Sequence, residues 1–208
     1  MLLTDAQVQS FIRSGLMEIA LPDLDHVHHE VNSRLRELCE AESHHGNNIL
    51  PRMPVLQRVL RHEKIHGALI SLLGSDYLIH PHRAIHRSTP IAEGLEDFSL
   101  SSNRHLMGAG STATSLWHQD AQSPLARARH HFPKFLIGFY FPHEVDISMG
   151  PTRFLRASYC DNGPDLSREI YQPDRISAGT FFLAHFDIAH AGFPNASRDD
   201  RFMLKFVF

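Results

Sequence analysis

The sequence predicts a mainly β domain of the sandwich, barrel or jelly-roll kind, behind an N-terminal layer of helices. Three observations carry this. Apolar residues recur three to four apart through the first third of the chain. From Tyr77 onward, short apolar or alternating segments stand between Gly, Pro, Asn and Asp residues. No internal repeat or low-complexity linker separates the two parts. Residues 1–208 therefore read as one domain, with about 1–76 as the outer helical layer and about 77–208 as the β core.

The helical elements have readable ends. Thr4-Asp5-Ala6-Gln7 has the form of a capping box, Val8, Phe11 and Ile12 share one face, and Gly15 suits a C-terminal cap. After Pro22-Asp23, Leu24, Val27, Val31, Leu35 and Leu38 form an amphipathic stripe that predicts a helix lasting until about Gly46. A third helix is expected from Pro54 through Val55, Val59, Leu69 and Leu73, stopped by Gly74. Strands are expected at Tyr77 to Ser88, Arg104 to Met107, Thr114 to Trp117, Lys134 to Phe141, Thr152 to Arg156, Thr180 to His185 and Arg201 to Phe208. Pro90 to Asn103 and Ala121 to Lys134 read as long loops, which in a compact domain are often functional.

Composition narrows the function classes. With 42% hydrophobic and 21% charged residues, the chain is that of an ordinary soluble globular protein. Twenty basic and 23 acidic side chains give a formal charge of -3, so there is no basic surplus of the kind nucleic acid selects. The longest apolar runs, such as Phe135 to Phe141, are far too short to cross a bilayer. The opening Met-Leu-Leu-Thr-Asp has neither the basic nor the apolar region of a signal peptide. Two cysteines, Cys39 and Cys160, make no disulfide framework and fit a reducing, cytoplasmic setting. Histidine is the outlier at 17 residues, which raises the prospect of metal chemistry.

Two segments carry that chemistry. In Trp117-His118-Gln119-Asp120, at the end of an expected strand, residues two apart point to one face, so His118 and Asp120 converge. Alone, His-x-Asp is weak and is more often a hydrogen-bonded surface pair. The second segment runs from Gly179 through His185, Asp187 and His190 to Gly192, Pro194, Asn195, Ser197 and Arg201. Two imidazoles and one carboxylate form the facial set of non-haem iron oxygenases, which leaves three coordination positions open. A 2-oxo acid takes two of them and O2 the third. The far carboxylate of 2-oxoglutarate then calls for a cation, and arginine's planar fork binds a carboxylate at two points.

On these residues the chain resembles the phytanoyl-CoA dioxygenase family of 2-oxoglutarate oxygenases, over almost its whole length. Leu3-Thr4-Asp5-Ala6-Gln7 through Phe11 to Gly15 is similar to that family's first helix. His118-Gln119-Asp120 is similar to its proximal metal motif, and Gly150-Pro151-Thr152-Arg153-Phe154-Leu155-Arg156-Ala157-Ser158 to its glycine turn and following strand. His190, with Arg201 eleven residues later, matches the distal metal histidine and the arginine. Met149 and Arg156-Ala157-Ser158-Tyr159 depart from the family pattern, and Gly192 stands where some members carry a hydroxyl residue.

The resemblance implies a double-stranded β-helix (jelly roll, cupin-like). It implies Fe(II) held by His118, Asp120 and His190, 2-oxoglutarate held by Arg201, and release of succinate and CO2. Asp120 fills the position a halide would need, which points to hydroxylation of a small-molecule substrate. His185 competes with His190 but lacks the spacing to Arg201, and reads as a core or supporting histidine. Arg198 competes with Arg201 but falls in a polar turn. One of His80, His82 and His86 is a candidate to line the cavity. The segment Arg127-Ala128-Arg129-His130-His131-Phe132-Pro133-Lys134 has two readings: a grip on an anionic substrate, or a solvated loop. Two other classes stand beside the oxygenase, a catalytically silent metal- or ligand-binding jelly roll and a zinc hydrolase. Arg201 favours the oxygenase over the hydrolase.

Overall fold

A computed structural model describes residues 1–42, 48–80, 83–91, 117–120, 133–161 and 163–208. Helix α1 (Asp5–Ser14) starts on the expected capping box, with Thr4 accepting from the Gln7 amide and Gln7 answering the Thr4 amide. It stops at Gly15, whose φ of 72° is the left-handed conformation a glycine adopts without strain. Helices α2 (Asp25–Ala41), α3 (Ile49–Arg52), α4 (Leu56–Leu60) and α5 (Glu63–Leu73) complete the N-terminal layer.

Three expectations for this region change. The five residues after Gly15 form strand β1 (Leu16–Ala20), so the first part of the chain is not purely helical. Gly15 ends α1 and Pro22 opens the next turn, which leaves an extended stretch that pairs along β8 (Thr180–His185). Helix α2 ends at Ala41, with Glu42 extended, rather than near Gly46. The helix expected over Pro54 to Leu73 is broken at His62, which is extended at φ -58°, ψ 137°. Its imidazole accepts from the Lys64 amide at 3.2 Å and pairs with Asp23 at 3.0 Å, which stabilises the break.

The remaining strands are β2 (Arg83–Ser88), β3 (Leu136–Phe141), β4 (Val145–Asp146), β5 (Arg153–Leu155), β6 (Ile170–Tyr171), β7 (Arg175–Ile176), β9 (His190–Ala191) and β10 (Arg201–Val207). The main antiparallel sheet has the order β1-β8-β3-β10-β2, and two smaller sheets have the orders β4-β7 and β6-β5-β9. The expected strands at Arg104 to Met107 and Thr114 to Leu116, and nearly all of both long loops, lie outside the described residues.

Both faces of the main sheet are buried, which explains why β3, β8 and β10 read as largely apolar runs. Leu136, Tyr140, Phe181, Leu183, Phe202, Leu204 and Phe206 pack on the helices with Val31 and Leu35. Ile137, Phe139, Phe141, Phe182, Ala184 and Met203 turn the other way, onto Phe154, Val145 and Ile176 of the small sheets. Each such side chain contributes roughly 1.5–3 kcal/mol when fully buried.

One polar link crosses the helix side. The His28 Nε2 lies 2.8 Å from the Leu21 carbonyl, so it carries the proton, and Nδ1 accepts from the Tyr140 hydroxyl at 2.7 Å. A Cβ on Gly179 would lie 2.1 Å from that Nε2, so the close approach requires glycine there. Among the described residues, no helix is long and apolar enough to cross a membrane.

Candidate metal centre

His118 and His190 stand opposite each other on neighbouring extended segments. The His118 amide donates to the His190 carbonyl at 3.1 Å, and the His190 amide donates back at 3.0 Å. Such a pair projects both side chains to one face, and the two rings lie 4.4 Å apart. Phe139 packs edge-on to His190 at 5.0 Å, which sets that ring's tilt.

Two residues on from His118, Asp120 points to the same face. Its Oδ1 is 3.8 Å from His118 Nε2 and 3.9 Å from His190 Nε2. The ligand atoms of His118, Asp120 and His190 all fall within 4.8 Å of one another, a spacing that could hold a metal ion. Gln119 projects the opposite way and pins the segment, donating to the carbonyls of Ser158, Asp161 and Asp187 at 3.0, 3.2 and 2.8 Å.

The electrostatics suit a cation. Burial holds the His190 pKa down to about 3, so the ring is neutral near pH 7. Its Nδ1 sits 3.1 Å from the Ile188 carbonyl, which fixes the proton there and leaves the Nε2 lone pair facing Asp120. Burial works against the Asp120 carboxylate. The neighbouring imidazoles of His190 and His118 and the Lys205 ammonium, which also donates a hydrogen bond, outweigh it and hold the pKa below its ordinary value. Asp120 Oδ2 is buried and accepts no aligned hydrogen bond, although Lys205 Nζ is 2.8 Å away. A ligand lone pair is thus still on offer.

Arg201 opens β10 on the same face of the strand as Met203 and Lys205. It is buried, and its Nη1 donates to the carbonyls of Met149 at 2.9 Å and Phe193 at 3.4 Å. Burial lowers its pKa to about 10, so it stays charged at neutral pH. Gly150, with φ 65°, turns the chain so that Met149 can accept; a Cβ there would strike the Pro194 carbonyl at 2.3 Å. A side chain at Gly192 would reach ordinary contact distance from Arg201, 3.5 Å from Nη2. Buried Asn195 holds the turn between His190 and Arg201 by donating to the Ser88 and Asp199 carbonyls and accepting from the Ser197 amide.

The competing residues fall elsewhere. His185 stacks on Tyr159 at 4.4 Å and accepts from the Asp187 amide. Arg198 is exposed in its turn. His86 lies opposite Met203 in the β2–β10 register, on the face shared by Arg201 and Lys205. His82, Arg127, Arg129, His130 and His131 lie outside the described residues.

Lys205 is the residue that sequence reasoning missed. Its Nζ is 2.9 Å from Asp120 Oδ1 and 2.8 Å from Oδ2, and the side chain is 8% exposed. The readable signal was a lone charge inside Arg201-Phe202-Met203-Leu204-Lys205-Phe206-Val207-Phe208, in phase with Arg201.

No family model and no curated protein matches this chain. Solved structures do. EctD from S. alaskensis, crystallised with 2-oxoglutarate and 5-hydroxyectoine, aligns with a TM-score of 0.69 at 15% identity, over 99% of this chain and 75% of its own. SnoK, a non-haem α-ketoglutarate-dependent carbocyclase from nogalamycin biosynthesis, aligns with a TM-score of 0.66 at 15% identity, over 99% and 83%. HygX from Streptomyces hygroscopicus gives 0.66 at 12%, over 100% and 86%. The chain has their fold. The double-stranded β-helix expected from the sequence is therefore the fold of this protein.

Proposed function

We propose that this chain is an Fe(II)- and 2-oxoglutarate-dependent oxygenase of the phytanoyl-CoA dioxygenase kind, one unit from residue 1 to 208, that hydroxylates a small organic substrate. The observation that carries the reading is the joint placement of His118, Asp120 and His190 within 4.8 Å of one another, in a fold shared with EctD, one structure of which holds Fe.

In this reading His118, Asp120 and His190 hold the iron, and the residues present fit it. Two neutral imidazoles and a carboxylate are the donor set that leaves open positions for a 2-oxo acid and O2. The bound iron supplies the oxidising chemistry, coupled to conversion of 2-oxoglutarate to succinate and CO2. The chain supplies placement. Arg201, charged and buried, has backbone carbonyls as its acceptors among the described residues, and donors left for the far carboxylate of 2-oxoglutarate. Phe139, Phe154 and Met203 keep the inner side of the site dry.

The test is calorimetric titration of 2-oxoglutarate into metal-free and Fe(II)-loaded protein under anaerobic conditions. Succinate is then measured across a panel of small metabolites in air. The reading expects binding that needs the metal, and succinate release stimulated by at least one compound. Absence of metal-dependent 2-oxoglutarate binding would sink it.

A further inference from the structure

We propose that Lys205 recognises an anionic group on the substrate, so that the substrate joins an apolar body to a carboxylate-like end. This rests on the metal-centre reading above and names the substrate class for that site.

Lys205 is buried on β10, and Asp120 is its one acidic partner among the described residues. That pairing balances charge only while Asp120 has no other cation. A divalent metal on two neutral imidazoles and Asp120 leaves one positive charge. Arg201 adds a second, and 2-oxoglutarate brings two negative charges. The centre is then neutral without Lys205, whose charge is left over. A buried ammonium without a counter-charge is costly, so this position suits an anion.

The cosubstrate does not fill that role. Arg201 and Lys205 lie on one face of β10 but four residues apart, about 13 Å along the strand at the usual rise. That spacing separates Lys205 from the arginine assigned to the far carboxylate, and Lys205 stands instead beside Asp120, at the cavity described next.

The surroundings define the rest of the ligand. A cavity of about 260 Å³ is lined by His80, Asp120, Phe135, Phe186, Lys205 and Val207. The Phe135 and Phe186 rings pack 5.5 Å apart and, with Val207, form an apolar wall. Lys205 and Asp120 form the polar corner. A cavity with one apolar wall and one cation beside the metal ligands suits a small amphipathic anion.

The experiment uses Co(II) as metal, with saturating 2-oxoglutarate, and a matched pair of probes: 3-phenylpropanoate and 3-phenylpropan-1-ol. Calorimetry on the wild type should show the carboxylate bound about tenfold more tightly than the alcohol, as one partly desolvated ion pair warrants. The preference should persist in Lys205→Arg, vanish in Lys205→Met, and be absent from the metal-free wild type, where Asp120 occupies the ammonium. Lys205→Gln keeps a donor for Asp120 and carries the same expectation if Lys205→Met fails to take up Co(II). Equal binding of the probes to the wild type, or no binding of either, overturns the proposal. So does a preference that survives loss of the lysine charge, or a neutral variant that weakens 2-oxoglutarate instead of the probe. Co(II) uptake is read from its absorption before any probe is added. A wild type that takes up no Co(II) would overturn the metal-centre reading itself, and this inference with it.

Discussion

His118 and His190 form a hydrogen-bonded bridge between neighbouring extended segments, exchanging amide-to-carbonyl bonds of 3.1 and 3.0 Å with their rings 4.4 Å apart. The separation of the two imidazoles is therefore fixed by backbone pairing. Little has to be reorganised for the pair to bind an ion.

Metal should accordingly stabilise the folded chain. At a free Co(II) concentration 100 times Kd, the wild type should gain about 2.7 kcal/mol against urea, by binding the folded state alone. A chelator should reverse the gain, and His190→Ala should abolish it. A wild-type urea midpoint that ignores Co(II) would remove the metal centre.

Arg201 should matter for the cosubstrate and not for the metal. Arg201→Ala is expected to weaken 2-oxoglutarate binding by about 2–5 kcal/mol while leaving Co(II) affinity nearly unchanged, because a charge-assisted pair is lost at the remote carboxylate. Arg198, exposed in the adjacent turn, is the control. If both alanine variants bind 2-oxoglutarate alike, Arg201 does not hold it.

Acid should destabilise the protein partly through His143. Its Nδ1 lies 2.7 Å from the Glu144 carbonyl and carries the proton, so Nε2 accepts from the Phe202 amide at 2.9 Å. Burial lowers this imidazole's pKa. A histidine lowered on folding takes its proton first in the unfolded chain. The stability it contributes is full above the unfolded pKa of about 6.5 and is lost as pH falls below that value. The slope from this one group is at most about 1.4 kcal/mol per pH unit. Urea unfolding of wild type and His143→Phe from pH 7.5 to 5 checks it: the variant should show the shallower decline.

Gly150→Ala should cost roughly 1–3 kcal/mol, since a non-glycine residue in the left-handed region is strained. The new Cβ would also meet the Pro194 carbonyl at 2.3 Å. Because the turn presents the Met149 carbonyl to Arg201, 2-oxoglutarate affinity should fall alongside the thermal midpoint. A variant as stable as the wild type would show that the turn relaxes freely.

Local signals were the legible ones. Thr4 and Gln7 announce a helix start because the capping box is closed within four residues. His118 and Asp120 announce a shared face because strand period is two. The jelly roll and the place of His190 beside that pair were expectations from the resemblance to a family, beyond what spacing alone gives. What the sequence concealed depends on distant partners. Leu16–Ala20 is a strand because it meets Thr180 to Ala184, and nothing near residue 16 encodes that. Lys205 looks like one stray charge until Asp120 arrives beside it. His62 breaks a helix partly through Asp23, which lies in a different element.

The pairing of β1 with β8 also orders events during synthesis. The first helix and strand leave the ribosome well before the residues of the edge that β1 joins, Thr180 to Ala184. Until Thr180 to His185 and then Arg201 to Val207 are made, the apolar faces of α1 and α2 lack the sheet that covers them. The nascent chain therefore waits with sticky helices in the open, and long-range pairing of this kind folds slowly. Truncated products should aggregate, and yield on overexpression should rise with chaperones that shield exposed helices.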